Sequence, residues 1–163
     1  MKKLNLGCGE NILKDFINVD FRDSKNKEVD VFHNLETLPY PFENNSIDYI
    51  VMDNVLEHIK NTIEVMEELH RICKHGAIIR INVPNYSSFM AWGHLTHKKA
   101  FGIGTFNNFK SSSWEKYSKV NFEVKKSKLI YLDSRQKVLH KIINRIMNKI
   151  INWNYYLSER FLC

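Results

Sequence analysis

Five short apolar segments, separated by loops and by one clear helical pattern, restrict this chain to few folds. The segments cover residues 3–6, 16–20, 29–32, 47–52 and 77–83. The fourth is almost continuously apolar, which is typical of a parallel strand buried on both faces. Strands that alternate with helices or loops predict an α/β fold with a mostly parallel sheet and right-handed crossovers.

The clearest helix is predicted between Asn61 and Gly76. Asn61 is a candidate N-cap with Glu64 three residues further on, and apolar side chains then recur at helical spacing. Two basic residues before the glycine suit the negative end of a helix, and glycine commonly ends one. A second helix, basic and amphipathic, is predicted from about residue 135 to 161.

The length of 163 residues suits a single domain spanning residues 1–163. We divide it into a ligand-binding core over 1–85, a substrate loop or lid over 86–118, and C-terminal strands and a helix over 119–163. The middle part is rich in glycine, serine and asparagine, so we expect a long loop with short helical pieces there. Two short strands, or one bent strand, are predicted over 120–126 and 128–132.

The charge and cysteine content exclude several classes of protein. The net charge is +6 with much of the excess in the last third, yet no basic–aromatic pattern of an RNA-binding domain occurs, so nucleic acid is not an expected partner. The three cysteines lack the spacing of a disulfide framework or a zinc site, so no metal is predicted. Neither a signal peptide nor an apolar run of roughly 20 residues is present, and we expect a cytoplasmic location.

A glycine-containing turn and a strand-end carboxylate carry the first functional signal. Gly7 and Gly9 follow the first predicted strand, where the missing side chains let a ligand approach the backbone. Asp20 ends the second strand and can accept both ribose hydroxyls of an adenosine ligand. A third glycine is missing and Asp20 follows too soon for a full crossover helix, which argues against a dinucleotide. An adenosine ligand without phosphate remains compatible.

Six segments, taken in order, resemble the class I S-adenosylmethionine-dependent methyltransferases, most of all small bacterial and archaeal members with a shortened first crossover. The segments are LNLGCG, FINVD, LPYPFENNSIDYI, NVLEHI, ELHRICKHG and AIIRINVPN. They span about Lys3 to Asn85, with a weaker similarity at His94 to Phe106. The resemblance implies a Rossmann-like sheet flanked by helices, S-adenosylmethionine as cofactor, and methyl transfer to a small-molecule or glycan acceptor.

The resemblance also implies which residues hold the cofactor. The two glycines would pass under its methionine and ribose parts, the aspartate would hold the ribose hydroxyls, and the next aromatic residue would pack on the adenine. Asn5 and Asn34 stand where family members often carry an acidic residue, which lowers the charge but keeps hydrogen-bonding ability. The full implied set is Asn5, Leu6, Gly7, Cys8, Gly9, Asp20, Phe21, Asn34, Leu35, Asp53 and Asn54.

A hydroxyl or cationic amine acceptor needs a base to remove its proton. His97 and His58 are the candidates, with His94 behind them, because His97 lies in a segment similar to one that follows the fifth strand in relatives. A purely structural role for Glu57 and His58 is an equal alternative. Cys8 is expected to pack rather than to act as a nucleophile, since no base partner lies nearby in sequence.

The C-terminal part leaves alternatives open. Family members usually end with two antiparallel strands, but here the predicted helix leaves no obvious final edge strand. We therefore expect an incomplete sheet, an edge covered by a partner or a second copy, or a truncated chain. One alternative function is a catalytically silent binding or regulatory module. Another is peripheral membrane contact through the basic C-terminal helix, with packing against the domain as the simpler interpretation.

Overall fold

A seven-stranded sheet forms the centre of the protein. The computed structural model describes residues 1–21, 29–114, 117–130, 146, 149 and 161–162. The strands are β1 (Lys3–Leu6), β2 (Ile17–Asp20), β3 (Val31–Phe32), β4 (Ile47–Asp53), β5 (Cys73–Asn82), β6 (Glu123–Val124) and β7 (Phe161–Leu162). The helices α1 (Thr62–Ile72) and α2 (Phe89–Trp92) and the 3₁₀ turns Leu56–His58 and Thr105–Phe109 lie between strands β4 and β6.

The strand order is β3-β2-β1-β4-β5-β7-β6, and the first five strands are parallel. The chain runs outward from β1 to β3 on one side and continues from β4 on the other. The boundary between β1 and β4 is therefore the switch point, where an open α/β sheet leaves a crevice at the carboxyl ends of its strands. The predicted Rossmann-like, mostly parallel α/β fold is confirmed.

Two short strands, β7 and β6, extend the sheet beyond β5, so the expectation of an incomplete sheet is wrong. β7 pairs antiparallel with β5 through Ile79 and Phe161, and β6 pairs with β7. Each of these strands has two residues, which is too short for an apolar alternation to be recognised in the sequence. The helix predicted over 135–161 lies outside the described residues except for Ile146 and Lys149, which are helical and exposed, and Phe161, which is in a strand.

The core consists of side chains from the central strands and one face of α1. Leu4, Leu6 and Met52 are fully buried, and Met66 and Leu69 of the helix pack into the same cluster. The burial of both faces explains why β4 reads as a continuous apolar run. Among the described residues, no helix is both long and apolar enough to cross a membrane.

Helix α1 ends four residues before the predicted position. It stops at Ile72 and β5 begins at Cys73, where the predicted helix would have continued to Gly76. Cys73 faces Ile47 while Ile78 faces Tyr49, so the residues between them bulge out of the ladder. Pairing with β4 supplies the backbone hydrogen bonds here, and Gly76 provides the positive φ of 78° in the bulge.

An ion pair on α1 holds the loop between β3 and β4 in place. The Glu68 carboxylate accepts hydrogen bonds from the Tyr40 amide at 2.6 Å and from Arg71 Nε at 2.8 Å. Arg71 also donates to the Phe42 carbonyl at 3.0 Å. Burial alone would raise the pKa of Glu68, but the Arg71 and Tyr40 hydrogen bonds outweigh it and hold the pKa below its usual range. Tyr40 in turn donates its hydroxyl hydrogen to the Leu35 carbonyl at 2.9 Å, which fixes the loop that follows β3.

Arg71→Ala is expected to lower the free energy of unfolding by about 2 kcal/mol, because it leaves the largely buried Glu68 carboxylate without its cation. The value is below that of a fully buried pair, since Arg71 is partly exposed. Urea unfolding of both proteins measures the difference. Lys74→Ala is the control, because it removes the exposed ion pair with Asp48. Equal losses of unfolding free energy in the two variants would contradict the stabilising role of the Glu68–Arg71 ion pair.

Candidate cofactor and acceptor site

Polar residues gather where the parallel strands end. Asp20 is the last residue of β2, and Asp53 and Asn82 are the last residues of β4 and β5 and face each other in the ladder. Because parallel strands place their carboxyl ends at one edge of the sheet, these side chains share the crevice beside the loop that follows β1.

The loop after β1 is tied directly to β2. The amides of Gly7 and Cys8 both donate to the Val19 carbonyl, at 2.8 and 3.1 Å. The Gly9 amide donates to Asp20 Oδ2 at 2.8 Å, and Asp20 is only 6% exposed. The glycine loop and the strand-end carboxylate therefore lie against each other.

The two glycines of this loop have different surroundings. Both have positive φ, 68° at Gly7 and 51° at Gly9. A Cβ on Gly7 would lie 2.6 Å from a methyl group of the buried Val55 side chain, whereas a Cβ on Gly9 would meet nothing within 4 Å. Gly7 is thus required by packing, and Gly9 faces open space.

Three of the predicted cofactor residues are buried in or next to the loop. The Asn5 side chain is buried and donates to the Asn11 carbonyl at 2.8 Å and to Asn18 Oδ1 at 2.9 Å. Leu6 is fully buried, and Cys8 is also buried, which raises the pKa of its thiol to about 11. The Cys8 thiol therefore stays protonated at neutral pH, as a packing residue would.

The residues predicted to surround the adenine lie after β2 and β3. Phe21 follows Asp20 and is 61% exposed. Asn34 is exposed, and its Oδ1 accepts a hydrogen bond from the Glu36 amide at 3.0 Å, which closes a local turn. Leu35 is buried in the core. Their predicted contacts with the cofactor stay predictions.

Asp53 and Asn54 lie at the end of β4 with a partner that the sequence analysis missed. Asp53 Oδ1 accepts from Asn82 Nδ2 at 2.7 Å and from Asn54 Nδ2 at 3.1 Å. Asn54 has a φ of 54°, and its amide donates to the Asn82 carbonyl at 2.9 Å. The sequence does carry a signal for this partner, because Asn82 is a polar residue at the end of an apolar strand, as Asp20 is.

The three histidines named from the sequence come together in space. His58 lies in the 3₁₀ turn after β4, and His94 and His97 lie in the loop after α2. Ring centroids are 4.7 Å apart for His58 and His97, 4.8 Å for His94 and His97, and 5.6 Å for His58 and His94. The hydroxyl of Thr96, which the sequence analysis did not single out, lies 2.8 Å from His58 Nδ1 and 2.9 Å from His94 Nδ1.

Glu57 anchors the loop that carries the histidines. Its backbone carbonyl accepts hydrogen bonds from the Lys98 and Lys99 amides at 2.7 and 3.3 Å. Its side chain is only 1% exposed, and neither carboxylate oxygen has a hydrogen-bond partner among the described residues. Burial raises the pKa of Glu57 to about 7; the charge of His97 opposes this shift and that of Asp53 adds to it.

The comparisons with known proteins agree with this geometry. Residues 15–81 match a family model described as a methyltransferase domain. A crystal structure of an S-adenosylmethionine-dependent methyltransferase from Archaeoglobus fulgidus is 17% identical with a TM-score of 0.57, covering 98% of this chain and 83% of that chain. A chain in the complex between the Haloferax volcanii Trm112 methyltransferase activator and the putative methyltransferase is 14% identical with a TM-score of 0.52, covering 65% and 57%. No curated protein matches the sequence.

The fold is therefore that of S-adenosylmethionine-dependent methyltransferases, in agreement with the resemblance seen in the sequence. S-adenosylmethionine is the cofactor that this family model and fold imply. The described residues fit that group. Gly9 offers open space beside the Asp20 carboxylate, and Phe21, Asp53 and Asn54 are exposed.

The two glycines predict a matched pair of substitutions. Gly7→Ala is expected to lower the free energy of unfolding by about 2–4 kcal/mol, because it adds overpacking against Val55 to the cost of a positive φ. Gly9→Ala adds only the φ cost, about 1–2 kcal/mol. Denaturant unfolding compares the two variants, and a Gly9 variant that is as unstable as the Gly7 variant would contradict the described packing.

Glu57 makes the stability of the wild type depend on pH. The folded state binds the Glu57 proton more tightly than the unfolded state, so stability falls as pH rises from about 4.5 to about 7 and then levels off. Glu57→Gln removes this loss and is expected to exceed the wild type by about 1–3 kcal/mol above pH 7. Thermal unfolding across pH 5–8 measures it, with the exposed Glu43→Gln as control. Parallel stability curves for Glu57→Gln and the wild type would refute the prediction.

Proposed function

We propose that this protein transfers the methyl group of S-adenosylmethionine to a hydroxyl or amine of a small molecule or glycan. The observation that carries the proposal is the hydrogen bond between the Gly9 amide and Asp20. It places the unobstructed backbone of Gly9 next to a carboxylate that is suited to bind ribose hydroxyls. The segment after β4 then links this side to the histidines, because Val55 packs against Gly7 and His58 follows three residues later.

The cofactor side of the proposed site consists of backbone and strand ends. Asp20 would accept the ribose hydroxyls while Gly9 lies under the ribose, and Phe21 would pack on the adenine. Asp53 and Asn54 would line the pocket near the sulfonium and the amino-acid part. When bound, S-adenosylmethionine supplies a methyl group on a sulfonium, which is a good leaving group. The protein then mainly has to align the acceptor atom with the methyl group. This alignment can lower the activation barrier by roughly 7–11 kcal/mol.

The acceptor side of the proposed site holds the base. His97 Nδ1 lies 3.1 Å from the Ala91 carbonyl. A carbonyl only accepts hydrogen bonds, so Nδ1 carries the hydrogen and the lone pair is on Nε2. His97 Nε2 would accept the acceptor's proton, and His58 and His94 are the alternatives that adjoin it. A base in this position typically contributes a factor of about 10²–10⁴ to the rate.

Calorimetric titration with S-adenosylhomocysteine tests cofactor binding. The wild type is expected to bind, and Asp20→Asn is expected to bind roughly 10–100 times more weakly, because hydrogen bonds to a charged group are worth about 1.5–3 kcal/mol. Asp48→Asn is the matched control, since Asp48 pairs with Lys74 and the backbone of Lys2 at the start of β4. No binding to the wild type at millimolar ligand would overturn the proposal and favour the catalytically silent module.

Turnover with labelled S-adenosylmethionine tests the base, using hydroxyl- and amine-bearing small molecules and glycans as acceptors. With an acceptor that is methylated, His97→Gln is expected to lower kcat by about 10²–10⁴ and to change the pH–rate profile. Its affinity for S-adenosylhomocysteine should stay unchanged. His75→Gln, on the bulge of β5, serves as control. A His97→Gln profile that superimposes on the wild type would remove His97 as the base.

A further inference from the structure

We propose that His58, His94 and His97 form a binding site for one divalent transition-metal ion of the zinc type. Each ring offers a nitrogen, and these three nitrogens all lie within 4.8 Å of one another. In a tetrahedral site zinc lies about 2.0–2.1 Å from each histidine nitrogen, so neighbouring ligand nitrogens are ~3.4 Å apart. From the 4.8 Å limit, the rings therefore have to close by up to roughly 1.4 Å to reach ligand spacing. His94 is exposed on a loop, so its ring can make that movement without disturbing the core.

Hydrogen bonds fix the state of two of the rings, whereas the His94 ring stacks on His97 with 21° between their planes and has to turn to share one ion with it. His97 donates its Nδ1 hydrogen to the Ala91 carbonyl, and His58 Nδ1 lies 3.3 Å from the Thr96 carbonyl, which also only accepts. In both rings the hydrogen is therefore on Nδ1 and the lone pair on Nε2. Metal-bound histidines almost always donate their second ring nitrogen to a carbonyl, carboxylate or water in this way.

Thr96 decides the state of the third ring. Its hydroxyl has a single hydrogen and lies between His58 Nδ1 and His94 Nδ1, at 2.8 and 2.9 Å. Since His58 donates, the hydroxyl accepts from His58 and gives its own hydrogen to His94. The Nδ1 lone pair of His94 thus faces the Thr96 hydroxyl at 2.9 Å and the Thr96 amide, which donates to it at 3.4 Å, so a cation takes that place when the exposed His94 ring turns away from Thr96.

The chemistry of the cluster selects the kind of cation. Neutral imidazoles suit zinc, copper, nickel and cobalt, whereas magnesium and calcium prefer oxygen ligands. Three histidines leave one position of a tetrahedral ion open, as in catalytic zinc sites. The nearby Lys98 ammonium is paired with the Glu36 carboxylate at 2.9 Å, which balances its positive charge.

Direct metal titration of the full chain tests this proposal without cofactor or acceptor. Protein treated with a chelator and dialysed is titrated with Zn²⁺ by calorimetry and with Co²⁺ by visible absorption. The expected result is one ion per chain, with Co²⁺ bands typical of a four-coordinate site that Zn²⁺ abolishes. His94→Ala is expected to bind at least tenfold more weakly. His75→Ala, which removes an exposed histidine on β5, should bind as the wild type does.

Two variants keep the outcome clear. His94 is exposed, so His94→Ala should retain the wild-type melting temperature, and His97→Gln provides a second loss of a ligand with a similar volume. Weak binding that is equal in His94→Ala, His97→Gln and His75→Ala would show only adventitious surface binding and would overturn the proposal. This result is independent of methyl transfer, because the titration needs no S-adenosylmethionine. Activity tests of His97 as a base require chelator-treated protein, since a ring nitrogen that holds a cation cannot accept a proton.

Discussion

The hydrogen bonds that tie the loop after β1 to β2 are the constraint on which the site depends. The Val19 carbonyl accepts from two consecutive amides of the loop, and the Asp20 carboxylate accepts from a third, at Gly9. These contacts are possible only because Gly7 and Gly9 adopt positive φ, which ordinary residues avoid. The neighbouring strand therefore fixes the shape of the loop.

The parallel part of the fold could be predicted from sequence because each strand carries a local signal. The apolar runs end at Gly7, Asp20 and Asp53, and the strands of the structure end within one residue of these positions. The end of α1 could not be predicted in this way. Lys74 and Gly76 suit a helix end, but pairing of Cys73 with β4 ends the helix earlier, and that contact is not local. The two-residue strands β6 and β7 exist only through their pairing across the sheet, so no periodicity reveals them.

The site shows the same division between local and tertiary signals. The glycines and the strand-end carboxylate were recognisable from residue type and position alone. The gathering of His58 with His94 and His97 was not, because 36 residues of chain separate the first two (58 to 94). Thr96 and Asn82 acquire meaning only from their partners, the histidine rings and Asp53. Sequence spacing therefore does not reveal a cluster whose members come together only through tertiary contacts.

The contact between Gly7 and Val55 has a mechanical consequence. No free space separates the glycine loop from the end of β4, so the loop cannot shift toward that segment without displacing it. Two residues after Val55, the Glu57 carbonyl holds the amides of Lys98 and Lys99 and with them the loop of His97. The glycine loop and the loop of His97 thus both contact the short stretch of backbone from Val55 to Glu57. A displacement of either the glycine loop or the histidine loop therefore requires residues 55–57 to move as well.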